Sequence, residues 1–400
     1  IVSLMKEAVA LDSKDAKALL TLGTAEIGAN QGKKAVPLLK AAQALNKSDP
    51  DVALALGMAQ REDGSLDASL QSLQLALKLK PNWAAALYEM GLTYMAQSHY
   101  PAARDALEQA EKLAPATTSI QRRLARASLL GGKPDSAFAI LGELAHRPNA
   151  TLADYALLGE AYDSVGRLDD AEQTYKDAVK RFPKDAAAYW RLASAQAFHR
   201  RYKDALATLA DGEKIAPNDP AILRTTSLVQ ARAGNYAAAI AYGQRLVTAD
   251  SADPSARFLL GTLYEDNGDN AHAIETYRAI IAGHPNYALA YNNLASILTR
   301  TGDAKAALPF ARQAATLMPN TAAASDTLGW ALFKAGQTPQ AIDALQRAAT
   351  LAPDNPETLY RLAVAKNAAG DKAAAKAHLA AALKISTAFR DAENARTLLG

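Results

Sequence analysis

The chain repeats itself every 34 residues from residue 16 to residue 389, with no insertion or deletion to break the register. Stepping from Ala16 in units of 34, the eighth position reads Gly23, Gly57, Gly91, Ala125, Gly159, Ala193, Ser227, Gly261, Ala295, Gly329 and Ala363. All are small. The twentieth position is Ala in every unit but the second, where Ser69 takes its place. The seventh is Leu in nine of eleven units, Met90 and Thr226 being the exceptions. A period of this length rules out one closed globular core. Each unit is a supersecondary element that buries its apolar face only by stacking on its neighbours.

Within a unit, apolar residues recur at helical spacing, then break at a turn, then recur again. Position 15 is Gly in eight units, from Gly64 to Gly370, where the chain must turn between two helices. Position 32 is Pro in seven: Pro81, Pro115, Pro183, Pro217, Pro285, Pro319 and Pro353. Proline there ends the second helix. The small residues at 8 and 20 let the paired helices cross closely, and the Leu at 7 fills the space beside the crossing. A bulky residue at 8 is expected to overpack it, at a cost of roughly 1–3 kcal/mol. Composition agrees, since half the residues are apolar, Ala is abundant and only 6% are aromatic. Closely packed helices suit that mixture better than sheets.

Leu-Gly at 7–8, an aromatic at 11 (Tyr94, Tyr162, Tyr264), Ala at 20, an aromatic at 24 (Tyr175, Tyr277) and Pro at 32 resemble the tetratricopeptide repeat (TPR). The resemblance covers residues 16–389 and implies an all-α, right-handed superhelical TPR solenoid of antiparallel helix pairs. On this reading residues 1–15 are the second helix of a truncated preceding repeat. Residues 16–389 are eleven tandem units, and residues 390–400 are the C-terminal part of a capping helix. The chain opens Ile1-Val2-Ser3 without an initiator Met, as expected of a piece cut from a longer protein. Units four and seven match least well. Thr226, Ser227 and Gly243 predict looser packing over residues 220–253.

Chemistry is sparse. With 44 basic and 41 acidic residues the net charge is +3, and no basic stripe suited to nucleic acid stands out. The absence of Cys excludes disulfides and thiolate metal sites. No apolar run approaches the roughly 18–20 residues that span a bilayer. The motifs of serine hydrolases, zinc peptidases, dinucleotide folds and phosphate-binding loops are missing. Gly131-Gly132-Lys133-Pro134 and Asp266-Asn267-Gly268-Asp269 superficially suggest phosphate and calcium loops, but both fall on the turn between helices. His99, His146, His199, His272, His284 and His378 are scattered, with no pair one helical turn apart. The expectation is a non-enzyme with no cofactor and no metal.

The family resemblance implies that positions 2, 5, 6, 9, 12 and 13 of each first helix line a concave groove, the usual docking surface of such arrays. These positions form one helical stripe. The side chains expected to meet a partner there are Tyr88, Arg122, Arg123, Arg126, Trp190, Arg191, Phe198, Arg224, Phe258, Asn292, Asn293, Trp330, Phe333 and Tyr360. Arg122, Arg123 and Arg126 could fork onto carboxylates or phosphates, or could balance Glu160 and Asp163 of the next unit. Asn292 and Asn293 resemble the asparagines that hold peptide backbone in peptide-binding arrays. Trp190 with Phe198, and Trp330 with Phe333, could anchor peptides, stack on sugar rings, or simply pack between repeats.

The C-terminal stretch carries one more resemblance. Ser325-Asp326-Thr327-Leu328-Gly329-Trp330-Ala331-Leu332, then Ala-Pro-Asp-Asn-Pro at 352–356, then Phe389-Arg390-Asp391-Ala392-Glu393, look like the end of long bacterial TPR lipoproteins. Those accompany exosortase and PEP-CTERM protein sorting and exopolysaccharide loci. This implies a non-catalytic protein-interaction scaffold in the periplasm or at the outer membrane, held there only by an anchor upstream of Ile1. Its partners would be proteins or peptides, with polysaccharide as a further ligand, and not nucleic acid. The alternatives are the substrate-recruiting arm of a larger enzyme and a cytoplasmic adaptor or co-chaperone.

Overall fold

The computed structural model describes residues 14–389 and 391–399. The helix expected over residues 1–15 lies outside them, apart from Lys14 and Asp15, which lead into the first repeat. Among the described residues are twenty-three α-helices and no strand. Twenty-two form antiparallel pairs, from Ala16–Gly28 with Gly32–Leu45 to Pro356–Ala368 with Lys372–Ile385. The fold is all-α, as the period predicts. The chain divides at Pro183 and Lys184 into two compact bodies. None of its helices is long and apolar enough to cross a membrane, among the described residues.

Local chemistry explains where the helices start. The side chains of Asp15, Asp49, Asp185, Asp219, Asp253 and Asn355 accept hydrogen bonds from first-turn N–H groups. Each such cap satisfies donors the helix cannot, and contributes about 1 kcal/mol. Repeat 5 uses a Thr151–Asp154 capping box instead. The turns are equally regular. Position 15 has positive φ in all eleven repeats: eight are Gly, and Asn30, Ser98 and Arg200 take φ of 56°, 60° and 59°.

The crossing within each pair is tighter than the pattern alone suggests. In six repeats the bare Cα at position 8 is covered by the side chain at position 24 of the second helix, not by position 20. A Cβ on Gly57 would meet Leu73 Cγ at 2.6 Å, and one on Gly261 would meet Tyr277 Cε1 at 2.7 Å. Both Tyr at position 24, Tyr175 and Tyr277, lie on a Gly at position 8. Position 20 packs against the backbone beside the same crossing: Ser69 Oγ donates to the Gly57 carbonyl at 2.7 Å. Every position-20 residue is buried.

Repeat 7 fills this crossing by another route. Gly243 at position 24 leaves room beside Ser227, whose Oγ donates to the Ala239 carbonyl at 2.8 Å. The space is closed from the next repeat, where Leu260 and Leu263 come within 3.3 and 3.2 Å of a Cβ placed on Gly243. Thr226 turns its hydroxyl onto the Ile222 carbonyl at 2.8 Å. The polar exceptions in this repeat are therefore internally satisfied. Between repeats, Arg at position 26 ties the stack together: Arg245 donates to the Pro217 carbonyl, and Arg347 to that of Pro319. At the C-terminus the short helix Ala392–Leu399 buries Ala395 beside Tyr360, Ala363 and Leu379.

Two predictions follow from this geometry. Gly261→Ala should lower stability by about 1–3 kcal/mol, with the loss confined by hydrogen exchange to repeats 8 and 9. In a Tyr277→Ala background the same change should cost much less, which a double-mutant cycle in urea will read. Arg200→Gly should instead raise stability by about 1 kcal/mol, since it relieves a left-handed non-glycine residue.

Candidate functional site

The first helices carry the expected stripe, but many of its side chains are already engaged. In the N-terminal body, Arg122 grips Asp154 of the next repeat with Nε at 3.0 Å and Nη2 at 2.7 Å, and Nη2 also reaches Thr151 Oγ1 at 3.4 Å. Burial draws the Asp154 carboxyl upward. The Thr151 N–H, the Arg122 guanidinium and the Thr151 hydroxyl outweigh it and hold the group below the usual aspartate range. Arg122 is thus a clamp between repeats 4 and 5. Arg123 and Arg126, on the same helix Thr118–Leu130, are exposed, and among the described residues neither is held by an ion pair or hydrogen bond. They border a cleft of about 550 Å³ with half-buried Tyr88, Leu129 and Leu157, and Glu160 on the repeat-5 side.

The C-terminal body shows the same division. Arg224 pairs with Asp253 at 2.9 Å and with Ser255 Oγ at 3.2 Å, spanning repeats 7 and 8. The Ser255 hydroxyl and N–H and the Arg224 charge keep the Asp253 carboxyl low despite its partial burial. Phe258 is wedged between the rings of Tyr277 and Tyr287, at 5.7 and 5.6 Å. Asn293 donates to the Tyr277 hydroxyl at 3.2 Å, and Asn292 to Asn293 at 3.3 Å. Tyr277 in turn donates to Glu265, which also takes an ion pair from Arg300 at 3.0 Å. Burial raises the Tyr277 phenol well above its ordinary value, so it stays a donor. The asparagine pair therefore braces this network.

Tyr360, expected on the groove, is only 7% exposed. Its ring packs on Phe389 at 6.1 Å, because the terminal helix covers it. It is a core residue and cannot reach a partner. Trp190 rests partly on the core of repeat 6 while the Arg191 guanidinium lies 4.5 Å over its ring. Phe198, at the end of the same helix Ala186–Phe198, is 67% exposed and meets the His199 ring edge-on at 6.4 Å. Trp330 stacks on Phe333 at 5.3 Å, with Lys334 and Arg361 at 4.8 and 5.4 Å from the indole centroid. Arg361 is itself paired with Asp326, whose carboxyl burial pushes up in spite of that neighbour. Trp330, Lys334, Arg300 and Arg361 line a polar cleft of about 400 Å³.

The acidic partners Asp154 and Asp253 lie off the expected stripe, whereas Glu265 and Asp326 lie on it at positions 12 and 5 without being singled out. One signal could have found them: opposite charges recur roughly one repeat apart, as in Arg61–Glu89, Arg122–Asp154 and Arg361–Asp326. No cluster of three or more His, Asp or Glu able to hold a metal occurs among the described residues.

Arg122→Gln should cost about 1–3 kcal/mol by leaving Asp154 buried and half-satisfied. The Asp154 carboxyl should then titrate higher by NMR. In the unaltered chain its folded pKa lies below the unfolded value of about 3.9. Its contribution is therefore complete above that value and is lost as pH falls through the lower folded one.

Tetratricopeptide repeat models match residues 129–195, 164–227 and 332–399, and a second such model matches residues 20–82, 88–150 and 258–324. Together they cover well over half of the chain. No curated protein sequence matches significantly. Among solved structures, the chain is similar to one from the APC/C hetero-tetramer Cut9-Hcn1, at 15% identity and a TM-score of 0.50, over 100% of this chain and 92% of that one. It is also similar to yeast Tom70, at 15% identity and a TM-score of 0.50, over 97% of this chain and 95% of that one. At such identity the likeness is one of fold. The chain belongs to the tetratricopeptide repeat family, whose helix pairs serve as scaffolds for protein interaction.

Proposed function

We propose that the chain is a non-catalytic scaffold that docks polypeptide partners at several points along the face formed by its first helices. One observation carries this reading. On a stripe where several arginines are paired between repeats, Arg123, Arg126 and the two-thirds exposed Phe198 are left exposed. An exposed aromatic held on a rigid helix costs little entropy to bind and is typical of an interface anchor. Several modest contacts on one chain add through effective concentration. The unbroken register supports the same view, since no insertion brings a catalytic loop into residues 16–389.

For its setting we propose the bacterial envelope, in exopolysaccharide export or PEP-CTERM protein sorting. The support is the C-terminal resemblance over residues 325–332, 352–356 and 389–393. Deleting the gene should reduce surface polysaccharide or leave sorted proteins unprocessed. If both are unchanged, the envelope assignment falls. A photo-crosslinking residue at Phe198 should capture a partner protein in cells, and one at Arg312 on a second helix should not. Equal capture at both positions, or none at Phe198, overturns docking on this face. Phe198→Ala should weaken the captured complex by about tenfold, the loss of a typical anchor of about 1.4 kcal/mol.

A further inference from the structure

We infer that the cleft between the first helices of repeats 3, 4 and 5 binds an extended polypeptide segment in which acidic side chains stand beside large apolar ones. The inference rests on the scaffold reading and narrows it to one place and one chemistry. Three arginines lie within five residues of one helix, yet the structure divides them. Arg122 is held by Asp154 and Thr151, so it cannot turn to a ligand without breaking the joint between repeats. Arg123 and Arg126 are exposed and unpaired among the described residues, and both border the cleft. They project from adjacent turns of the same helix, as residues three apart do. Two guanidinium groups so placed can fork onto two carboxylates in succession.

Apart from Ser119, Glu160 and the clamped Arg122, the rest of the cleft is apolar. Tyr88, Leu129 and Leu157 are half-buried in its walls, and buried Leu141 lies beneath. A free inorganic anion would satisfy the arginines and leave this apolar surface wet. A nucleic acid strand would need a track of cations along its backbone. Here only Arg123 and Arg126 remain outside the Arg122–Asp154 clamp. A peptide with Glu or Asp next to Leu, Val or Phe matches both halves of the lining at once. The cleft volume of about 550 Å³ is that of a site for a few side chains, so one such contact gives modest affinity, in keeping with multi-point docking.

The test uses the full chain and a fluorescein-labelled peptide with the core Glu-Leu-Glu-Leu between Gly-Ser flanks, read by fluorescence anisotropy. Matched probes carry Gln for Glu, or Ser for Leu. The Glu-Leu probe should bind, and each matched probe should bind about tenfold more weakly or worse. R123Q/R126Q should lose about tenfold in affinity for the Glu-Leu probe and become indifferent to Glu against Gln. Both arginines are exposed, so circular dichroism and the thermal midpoint should be unchanged. Lys334→Gln, in the other body, should bind as the unaltered chain does. Equal binding of the Glu and Gln probes, an unaltered affinity in R123Q/R126Q, or no binding to the folded chain each overturns the inference. If the probe fails while the Phe198 crosslinker still captures a partner, the scaffold reading stands and only the cleft assignment falls.

Discussion

A leucine or tyrosine side chain lying on a bare Cα sets the spacing of six of the eleven helix pairs. Gly at position 8 removes the only atom that would keep the second helix away. The residue at 24 takes that place and is fully buried in Leu73, Leu107 and Tyr277. The stack follows from this contact. With the two helices of a pair locked, the next first helix can pack into the groove they leave. Its capped start and its left-handed turn then fall at fixed distances along the chain. Where the contact is weakest, at Ser227 and Gly243, leucines borrowed from the next repeat restore it.

Within each body the stacking makes the first-helix face a place where charge has to be accounted for. Stacking helices at this separation brings Arg within reach of Asp or Glu about one repeat before or after it, and several arginines are consumed there: Arg61, Arg122, Arg224, Arg300 and Arg361. The Asn292–Asn293–Tyr277–Glu265 chain does the same with neutral groups. These side chains occupy the positions a ligand would use, yet they serve the joints between repeats. What remains for a partner is the smaller set that pairing leaves over, and that set mixes cationic with aromatic and aliphatic groups.

Much of the architecture was legible in the residues themselves. The small residues at 8 and 20, Leu at 7, Gly at 15 and Pro at 32 each answer to a constraint that acts within one repeat, so a single period displays it. Even the non-glycine turns at Asn30, Ser98 and Arg200 obey the register. The candidate site was legible only in part. Position on the stripe identified Arg122, Arg123 and Arg126 equally, and Trp190 and Phe198 as a pair. Nothing in the period separates a clamped arginine from a free one, or an aromatic resting on the core from one in solvent. Tyr360 was read as a groove residue because its position says so. The terminal helix, which lies outside the period, buries it.

The sequence by itself determined the helix pair, its turn, its length and the number of times it recurs, because these depend on contacts between residues less than one repeat apart. The tertiary structure decided which side chains remain available for function. That choice rests on ion pairs and ring contacts reaching about one repeat along the chain, such as Arg122 to Asp154 and Arg224 to Asp253. Their formation depends on the distance and angle at which one helix pair meets the next. A 34-residue period announces that the pairs stack. Only the packed structure shows which charges the stacking brings together and which it leaves facing outward.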